Sequence, residues 1–137
     1  MHRLKIRTSK KEELVEITGE IENVIKRLEF KSGLLCLFVP HTTAAVTINE
    51  NADFSVKRDV LKGLSSIGLE ALSYEHAEGN SVSHIKSSLF GCSQNVIVEN
   101  NRLVCGEEVR IDIRYCLSND APVGEYSFAA FMDSRPK

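Results

Sequence analysis

The sequence predicts an α+β domain in which about three helices pack on a mainly antiparallel sheet. Amphipathic segments of helical period alternate with strand-like segments over the first part of the chain. The last strand-like segments follow one another without helical crossovers, which favours antiparallel pairing. Since 137 residues are enough for one hydrophobic core and few for two, we expect a single domain over residues 1–137.

The composition excludes several classes of protein. The formal net charge of −2 comes from 17 Lys and Arg residues against 19 Asp and Glu residues, so the strongly basic character of a sequence-independent nucleic-acid binder is lacking. The N-terminal stretch "MHRLKIRTSKKEEL" is charged, unlike a secretory signal, and no apolar run approaches the ~20 residues that span a bilayer. We therefore expect a cytoplasmic protein that binds neither nucleic acid nor membrane.

Four cysteines are scattered along the chain with no CxxC pair. Cysteines of cytoplasmic proteins are kept reduced, and free cysteine is commonly buried as a small hydrophobe. We expect this state for all four, which are Cys36, Cys92, Cys105 and Cys116.

The N-terminal part of the chain predicts strands on either side of a helix. "LKIR" and "ELVEI" have the composition of a first strand or pair of strands. Thr18 is placed to cap the first helix, because apolar residues follow it at helical spacing. These residues are Ile21, Val24, Ile25 and Leu28. The continuous apolar run from Leu34 to Val39 predicts a strand that is covered on both sides.

Two further helices are predicted in the middle of the chain. Asp53 can cap the second helix, and Gly68 is placed to end it. The apolar stripe of this helix consists of Val56, Val60, Leu64 and Ile67. The third helix is short, starting at Asn80 or Ser81 and stopping at Gly91.

The C-terminal part predicts a hairpin followed by two more strands. "NVIVENNRLVCG" turns at Asn100 and Asn101, whose side chains tolerate the positive φ of a tight hairpin turn. From Val109 to Leu117 apolar and polar residues alternate, as in a strand with one buried face. "EYSFAAF" is the last strand.

The stretch "FVPHTTAAVTINENAD" is the first candidate site. As a strand it would place Ala44, Val46 and Ile48 on a core face. The opposite face would be small and polar, formed by His41, Thr43, Ala45, Thr47 and Asn49. This face is either a solvent-facing edge strand or one wall of a binding site, and the strand alone does not decide between them.

The segment "YEHAEGNSVSHIKSSLFG" adds His76 and His84 on either side of a glycine-containing turn. If the helix begins at Ser81, its apolar stripe is formed by Val82, Ile85 and Leu89. His84 then lies away from that stripe, on the face of Ser81 and Ser88. We therefore expect His84 to face water or a cavity rather than the core.

Two chemistries are open at this second segment. The turn and the helix start at Gly79, Asn80 and Ser81 would offer free backbone N–H groups to a phosphate. Alternatively, His41, His76 and His84 could converge on a divalent metal, although their spacing matches no fixed ligand signature. Glu78 could act beside them as a general acid or base. Each residue also has a simpler role, such as a surface loop histidine.

The two segments together resemble the YjbQ-like family, described as secondary thiamine-phosphate synthase enzymes. The shared pattern is Pro-His-Thr-Thr-Ala, then Asn-Glu-Asn-Ala-Asp, then His-x-x-Gly-Asn-x-x-x-His-x-Lys. The similarity in order and length extends over nearly the whole chain. The resemblance implies a sheet that curves toward a barrel, so that the fold is partly barrel-like, and an assembly of three copies.

The resemblance also implies a site formed by the motif positions. These are His41, Thr42, Thr43, Asn49, Asn51, Asp53, His76, Gly79, Asn80, His84 and Lys86. We expect catalysis from His41, Glu78 and His84, and a divalent ion, Zn or Mg, on the three histidines. The other motif residues, together with Ser81, are expected to bind substrate or phosphate.

Two departures from the family pattern concern the C-terminal part. Members often carry an aromatic residue after the glycine where this chain has Gly106-Glu107-Glu108. They also carry Asp-Gly-Pro-Arg where this chain has Asn119-Asp120-Ala121-Pro122-Val123. The arginine is missing, so the substrate or its affinity is expected to differ if that arginine contacts an anion.

Two functions from different classes follow. One is an enzyme acting on small phosphorylated heterocycles. By the resemblance, it joins a pyrimidine-methyl pyrophosphate to a thiazole phosphate and releases pyrophosphate. The alternative is a protein that binds a divalent metal or a small ligand without turnover.

Overall fold

The computed structural model describes residues 2–50, 52–106, 109–116 and 125–133. Within these ranges eight strands form two sheets, and every strand pairing is antiparallel. The strands are β1 (His2–Arg7), β2 (Glu12–Glu16), β3 (Gly33–Phe38), β4 (Ala44–Glu50), β5 (Ser93–Glu99), β6 (Arg102–Leu103), β7 (Val109–Cys116) and β8 (Glu125–Asp133). The α+β class and the antiparallel pairing are thereby confirmed.

The strands divide into a five-stranded sheet and a three-stranded sheet. The five-stranded sheet has the order β1-β8-β3-β5-β6, and the three-stranded sheet has the order β2-β7-β4. One hydrophobic core joins them, because its members come from both sheets and from the first helix. They are Ile6, Ile17, Ile21, Ile25, Phe30, Leu35, Leu37, Val39, Ala44, Val46, Val96, Val98 and Ile111. The two sheets therefore face each other across the core without closing into a barrel.

The outer face of the five-stranded sheet corrects the prediction for the run from Leu34 to Val39. Leu35 and Leu37 are buried, whereas Leu34 is 48% and Phe38 is 38% exposed. The strand alternates because only its inner face meets the core. The prediction of a strand covered on both sides was therefore wrong.

Helix α1 (Thr18–Arg27) buries Ile21, Val24 and Ile25 as the spacing predicts. Thr18 is the first helical residue and does not cap the helix, since the N-cap is Ile17. Its hydroxyl oxygen instead accepts a hydrogen bond of 2.9 Å from the backbone N–H of Ile111. The backbone hydrogen bonds that pair β2 with β7 continue up to the start of α1. There the Thr18 hydroxyl accepts the hydrogen bond from Ile111 in place of a backbone carbonyl.

Helix α2 (Phe54–Ser66) begins and ends as predicted. The Asp53 carboxylate accepts a hydrogen bond of 2.7 Å from the N–H of Ser55. Gly68 follows the helix with a φ of 78°, a conformation that glycine adopts without steric cost. The predicted stripe is only partly buried, since Leu64 is buried while Ile67 is exposed. The helix packs against β2 over a small area.

Helix α3 (Ser81–Phe90) starts and stops where the sequence predicts, but it turns a different face inward. Its buried residues are Ser83, Lys86 and Ser87, while Leu89 of the predicted apolar stripe is 62% exposed. The helix lies on β4 and β7, where small serines allow a close approach. The prediction of the Val82, Ile85 and Leu89 stripe was wrong for this reason.

The remaining local predictions are mixed in outcome. Asn100 and Asn101 have φ values of 50° and 60°, which confirms the hairpin turn between β5 and β6. Cys36 and Cys92 are free thiols, as expected, but Cys92 is exposed and not buried, and Cys36 and Cys105 are half-buried. The side chain of Cys116 lies outside the described part of the structure. No helix within the described ranges is long and apolar enough to span a membrane.

Candidate functional site

An open cavity of about 870 Å³ lies beside α3 and its C-terminal end. One side is formed by residues 38–42, which leave β3, and the other by residues 84–92 of α3 and its C-terminal end. Two backbone hydrogen bonds fix this geometry: the N–H of Val39 donates to Cys92 O at 2.8 Å, and the N–H of Val46 donates to Gly91 O at 3.2 Å. The end of α3 is thus bonded to one strand segment of each sheet.

His41 lies in a turn before β4, which begins at Ala44. The strand alternation predicted for His41 was therefore wrong, although it holds for Ala44 and Val46, which are in the core. The Nδ1 atom of His41 accepts a hydrogen bond of 3.2 Å from the N–H of Thr43 and lies 2.9 Å from the Thr43 hydroxyl. Since Nδ1 accepts, the neutral ring carries its proton on Nε2.

His84 faces the cavity from α3, which confirms that it is not a core histidine. The rings of His76 and His84 are close, with centroids 5.4 Å apart and planes tilted by 56°. The pKa of His41 is lowered from its usual value, first by the loss of hydration and second by the charge of His84. The structure thus places His41 and His84 on the cavity and His76 next to His84.

The turn before α3 places Glu78 and Asn80 beside these histidines. Glu78 Oε2 lies 3.8 Å from His76 Nε2 and accepts a hydrogen bond of 3.0 Å from Asn80 Nδ2. Gly79 has a φ of 68°, which allows its N–H to donate to His76 O at 3.0 Å. Asn80 Oδ1 is buried and lacks a hydrogen-bond partner within the described residues. A buried acceptor of this kind is costly unless a donor reaches it.

The predicted metal site does not fit this arrangement. No group of three His, Cys, Asp or Glu side chains in the described ranges is placed to hold a metal ion. A metal on His41 Nε2 would require the ring proton to move to Nδ1, which would replace the hydrogen bond that Nδ1 accepts from the N–H of Thr43. The divalent ion therefore stays a prediction, which elemental analysis of protein purified without chelator would test.

Lys86 lies apart from the cavity. Its side chain is completely buried, with Nζ 2.6 Å from Glu70 Oε1 and 3.1 Å from Glu12 Oε2. Two carboxylates from β2 and from the 3-10 turn Leu69–Ala71 therefore already compensate its charge. In this arrangement the ammonium faces carboxylates and not an anionic ligand.

The other predicted residues divide into two groups. Thr42 lines the cavity and Thr43 is buried beneath His41. Asn49 lies near the far end of β4, about 17 Å along the strand from its start, where its Oδ1 accepts a hydrogen bond from the N–H of Glu50. Asp53 caps α2 instead of facing the cavity. Asn51 is outside the described residues.

Sequence reasoning missed several residues that line the cavity. Phe38, Ser87, Gly91 and Cys92 all contribute to its surface. The sequence predicts a strand covered on both sides at Phe38, gives Ser87 no role within the second candidate segment, and places Cys92 just outside that segment. Their placement follows from contacts between segments distant in sequence, such as the hydrogen bond between Val39 and Cys92. No local signal indicates this pairing.

Fold and site together define a small α+β protein with a histidine-lined cavity at the end of its third helix. The family model for "UPF0047 protein YjbQ-like" matches residues 2–116. The chain belongs to this family. Of the two departures from the family pattern, residues 107–108 and 119–123 lie outside the described ranges.

Relatives by sequence and by structure agree with this assignment. UPF0047 protein MJ1081 of Methanocaldococcus jannaschii is 46% identical over 106 residues, which cover 77% of each chain. UPF0047 protein YugU of Bacillus subtilis is 45% identical over 104 residues, covering 75% of this chain and 79% of its own. A crystal structure of a YjbQ/UPF0047 family protein from Clostridium acetobutylicum superposes with a TM-score of 0.88 at 32% identity. The superposed region covers 97% of this chain and 100% of the Clostridium acetobutylicum chain. The α+β fold is therefore that of the family.

Proposed function

We propose that the protein is an enzyme acting on small phosphorylated heterocycles in the cavity between residues 38–42 and α3. The observation that supports this most is that His41 and His84 line one open cavity, with the ring of His76 next to that of His84. A volume of about 870 Å³ is in the usual range for small-molecule sites. The family resemblance supplies the reaction, which joins a pyrimidine-methyl pyrophosphate to a thiazole phosphate.

This reaction requires little covalent chemistry from the protein. The thiazole ring nitrogen uses its lone pair to form a C–N bond with the methylene carbon of the pyrimidine. The C–O bond to pyrophosphate breaks at the same carbon, and the leaving group takes that electron pair. The enzyme must hold the two substrates in line and stabilise the charge that develops on pyrophosphate.

The residues around the cavity are suited to these two tasks. His41 and His84 line the cavity with imidazole rings, which can donate or accept hydrogen bonds. Asn80 adds a buried acceptor that a donor on the substrate would satisfy. Phe38, exposed at the cavity rim, offers an apolar ring face against which a heterocycle can pack. Glu78 and His76 form a neighbouring pair for proton transfer.

Thiamine-phosphate formation tests the proposal. We expect His84→Ala and Asn80→Ala to lower kcat/KM at least tenfold, which corresponds to about 1.4 kcal/mol of transition-state stabilisation. His2→Ala is the matched control, since His2 lies on β1 and does not line the cavity. Unchanged rates in His84→Ala and Asn80→Ala, at equal folded concentration, would remove the assignment. Binding of both substrates without product would favour a ligand-binding protein instead.

A further inference from the structure

We propose that Lys86 is a positioning residue, which acts through Glu70 to place the segment 70–80 beside His84. This segment, called here the histidine loop, carries His76 and Glu78. The inference deepens the proposed function, because it concerns the same site and explains how one part of that site is held. Lys86 and Glu70 do not themselves line the cavity.

Apolar packing cannot fix the histidine loop. Every residue from Glu70 to Gly79 is exposed to solvent, Tyr74 with 36% of its surface, and none of them belongs to the hydrophobic core. The Tyr74 hydroxyl donates a hydrogen bond of 2.8 Å to Leu69 O, just before the loop, and the N–H of Gly79 donates one of 3.0 Å to His76 O within it. Such bonds shape the loop but do not attach it to α3.

The contact between Glu70 and Lys86 provides that attachment. Glu70 Oε1 lies 2.6 Å from Lys86 Nζ, and the loop then runs to Asn80, where α3 begins. The loop is therefore held at both ends by α3, and His76 lies between the two points. The resulting closeness of His76 and His84, whose ring centroids are 5.4 Å apart, follows from this clamp.

The burial of Lys86 makes the clamp selective for a carboxylate. Its side chain has no exposed surface, and a buried ammonium is strongly unfavourable unless carboxylates pair with it. Glu12 of β2 is one partner and Glu70 is the other. Lys11 also acts on Glu70, as a weaker influence than Lys86. Glu70 itself is half exposed. The ion pair between Glu70 and Lys86 is therefore the one that can break, because the Glu70 carboxylate can move into water.

Helix geometry places His84 and Lys86 on opposite sides of α3. Lys86 follows His84 by two residues, which corresponds to about 200° around the helix. His84 therefore faces the cavity while Lys86 points into the protein, toward β2. Lys86 can thus influence the site through the loop and not by touching the substrate.

The test compares Glu70→Ala with Glu75→Ala, an exposed carboxylate in the same loop. In Glu70→Ala we expect the nuclear Overhauser effect between the rings of His76 and His84 to weaken. We also expect hydrogen exchange of the Ala71 and Gly79 amides to accelerate about tenfold, while amides of β3 and β5 keep their rates. Glu75→Ala should match the wild type. Glu70→Gln keeps an oxygen that accepts from Lys86 but not the charge, so its loop should be looser than in the wild type and tighter than in Glu70→Ala.

These measurements need no substrate, so they are independent of the proposed reaction. An unchanged ring contact and unchanged exchange in Glu70→Ala would overturn the positioning role, whatever the activity of the protein. Equal effects of Glu70→Ala and Glu75→Ala would also overturn it, because the effect would then come from charge alone. Lys86→Met combined with Glu12→Gln gives a second variant, which leaves no buried charge unpaired and should show the same loosened loop.

Discussion

At the scale of single residues, His41 shows how a local turn sets the chemistry of a side chain. The pKa of His41 is lowered, chiefly by lost hydration and then by His84. Between this lowered value and about 6.5, the unfolded chain binds more protons at His41 than the folded protein does. The contribution of His41 to folding stability is therefore retained at neutral pH and decreases as the pH falls through that window.

The pKa of His41 can be measured by NMR titration in the wild type and in His84→Ala. We expect a value below about 6.5 in the wild type and an upward shift in the variant, because the repulsion from the His84 charge is removed. The shift should be incomplete, since the loss of hydration remains. Ser88→Ala removes a neutral neighbour in the same cavity and is the control. A pKa of His41 that is identical in wild type and His84→Ala would contradict the coupling.

Thr18 gives a second prediction at this scale. Thr18→Val keeps the shape of the side chain but removes the oxygen that accepts from the N–H of Ile111. Ile111 is completely buried, so its N–H would be left without an acceptor, at a cost of about 1–3 kcal/mol in the free energy of unfolding. Urea denaturation measures this loss. Thr18→Ser retains the hydroxyl and should lose clearly less, and equal losses in both variants would assign the effect to packing.

At the scale of elements, the ends of helix α2 follow local rules. Gly68 has a φ of 78° and Gly63 lies within the helix, and an added Cβ would meet nothing within 4 Å at either position. An added methyl group would therefore meet no neighbour at either position, and the two positions differ only in backbone conformation. This pair separates conformational preference from packing.

We expect Gly63→Ala to stabilise the protein by about 0.5–1 kcal/mol, because alanine favours the helix interior. Gly68→Ala should destabilise it by about 1–2 kcal/mol, because the left-handed conformation is unfavourable for a residue with a Cβ. Thermal unfolding would show shifts of a few degrees in opposite directions. Shifts of the same sign would refute the left-handed cap at Gly68.

Helix α3 shows where element-level prediction fails. Its boundaries follow from the turn residues and from Gly91, and these were predicted correctly. Its buried face was not, because hydrophobic periodicity assumes that apolar side chains are the ones that pack. Here Ser87 donates a hydrogen bond of 2.8 Å to Ala44 O, and Lys86 is neutralised by two carboxylates. Polar groups that find partners can replace apolar ones at a packed face.

At the scale of the whole molecule, the outer face of the five-stranded sheet carries an apolar row. Leu34 and Ile97 are directly paired across β3 and β5, and the N–H of Val104 bonds to Ile97 O. All three side chains are about half exposed. The family resemblance leads us to expect a homotrimer, and we propose this exposed row as the surface between its copies.

The trimer can be tested by light scattering coupled to size exclusion. We expect the wild type to elute as a trimer and Leu34→Glu with Ile97→Glu to dissociate. Each apolar side chain removed from an interface weakens association by about 1.5 kcal/mol or more, so the double variant should lose more than about a hundredfold in affinity. Leu89→Glu changes an exposed leucine on α3 and should leave the mass unchanged. A monomeric wild type would refute the prediction.

The sequence by itself determined the elements and the region of the site. Caps, glycines and hydrophobic spacing are properties of a few neighbouring residues, so helices α1 to α3 and the hairpin at Asn100 could be predicted from them. The two motifs likewise indicated His41 and His84, because their polar residues had no role in an ordinary core. These signals depend on residues that are close together in the sequence, so they can be recognised without knowledge of the fold.

Only the tertiary structure decided which residues meet. It divided the strands into two sheets, put Cys92 and Phe38 at the cavity, and moved Asn49 and Asp53 away from it. It also gave Lys86 two carboxylate partners, Glu12 and Glu70, that are far from it in sequence. The physical reason is that strand pairing and charge pairing depend on the free energy of the whole chain, which no local pattern specifies.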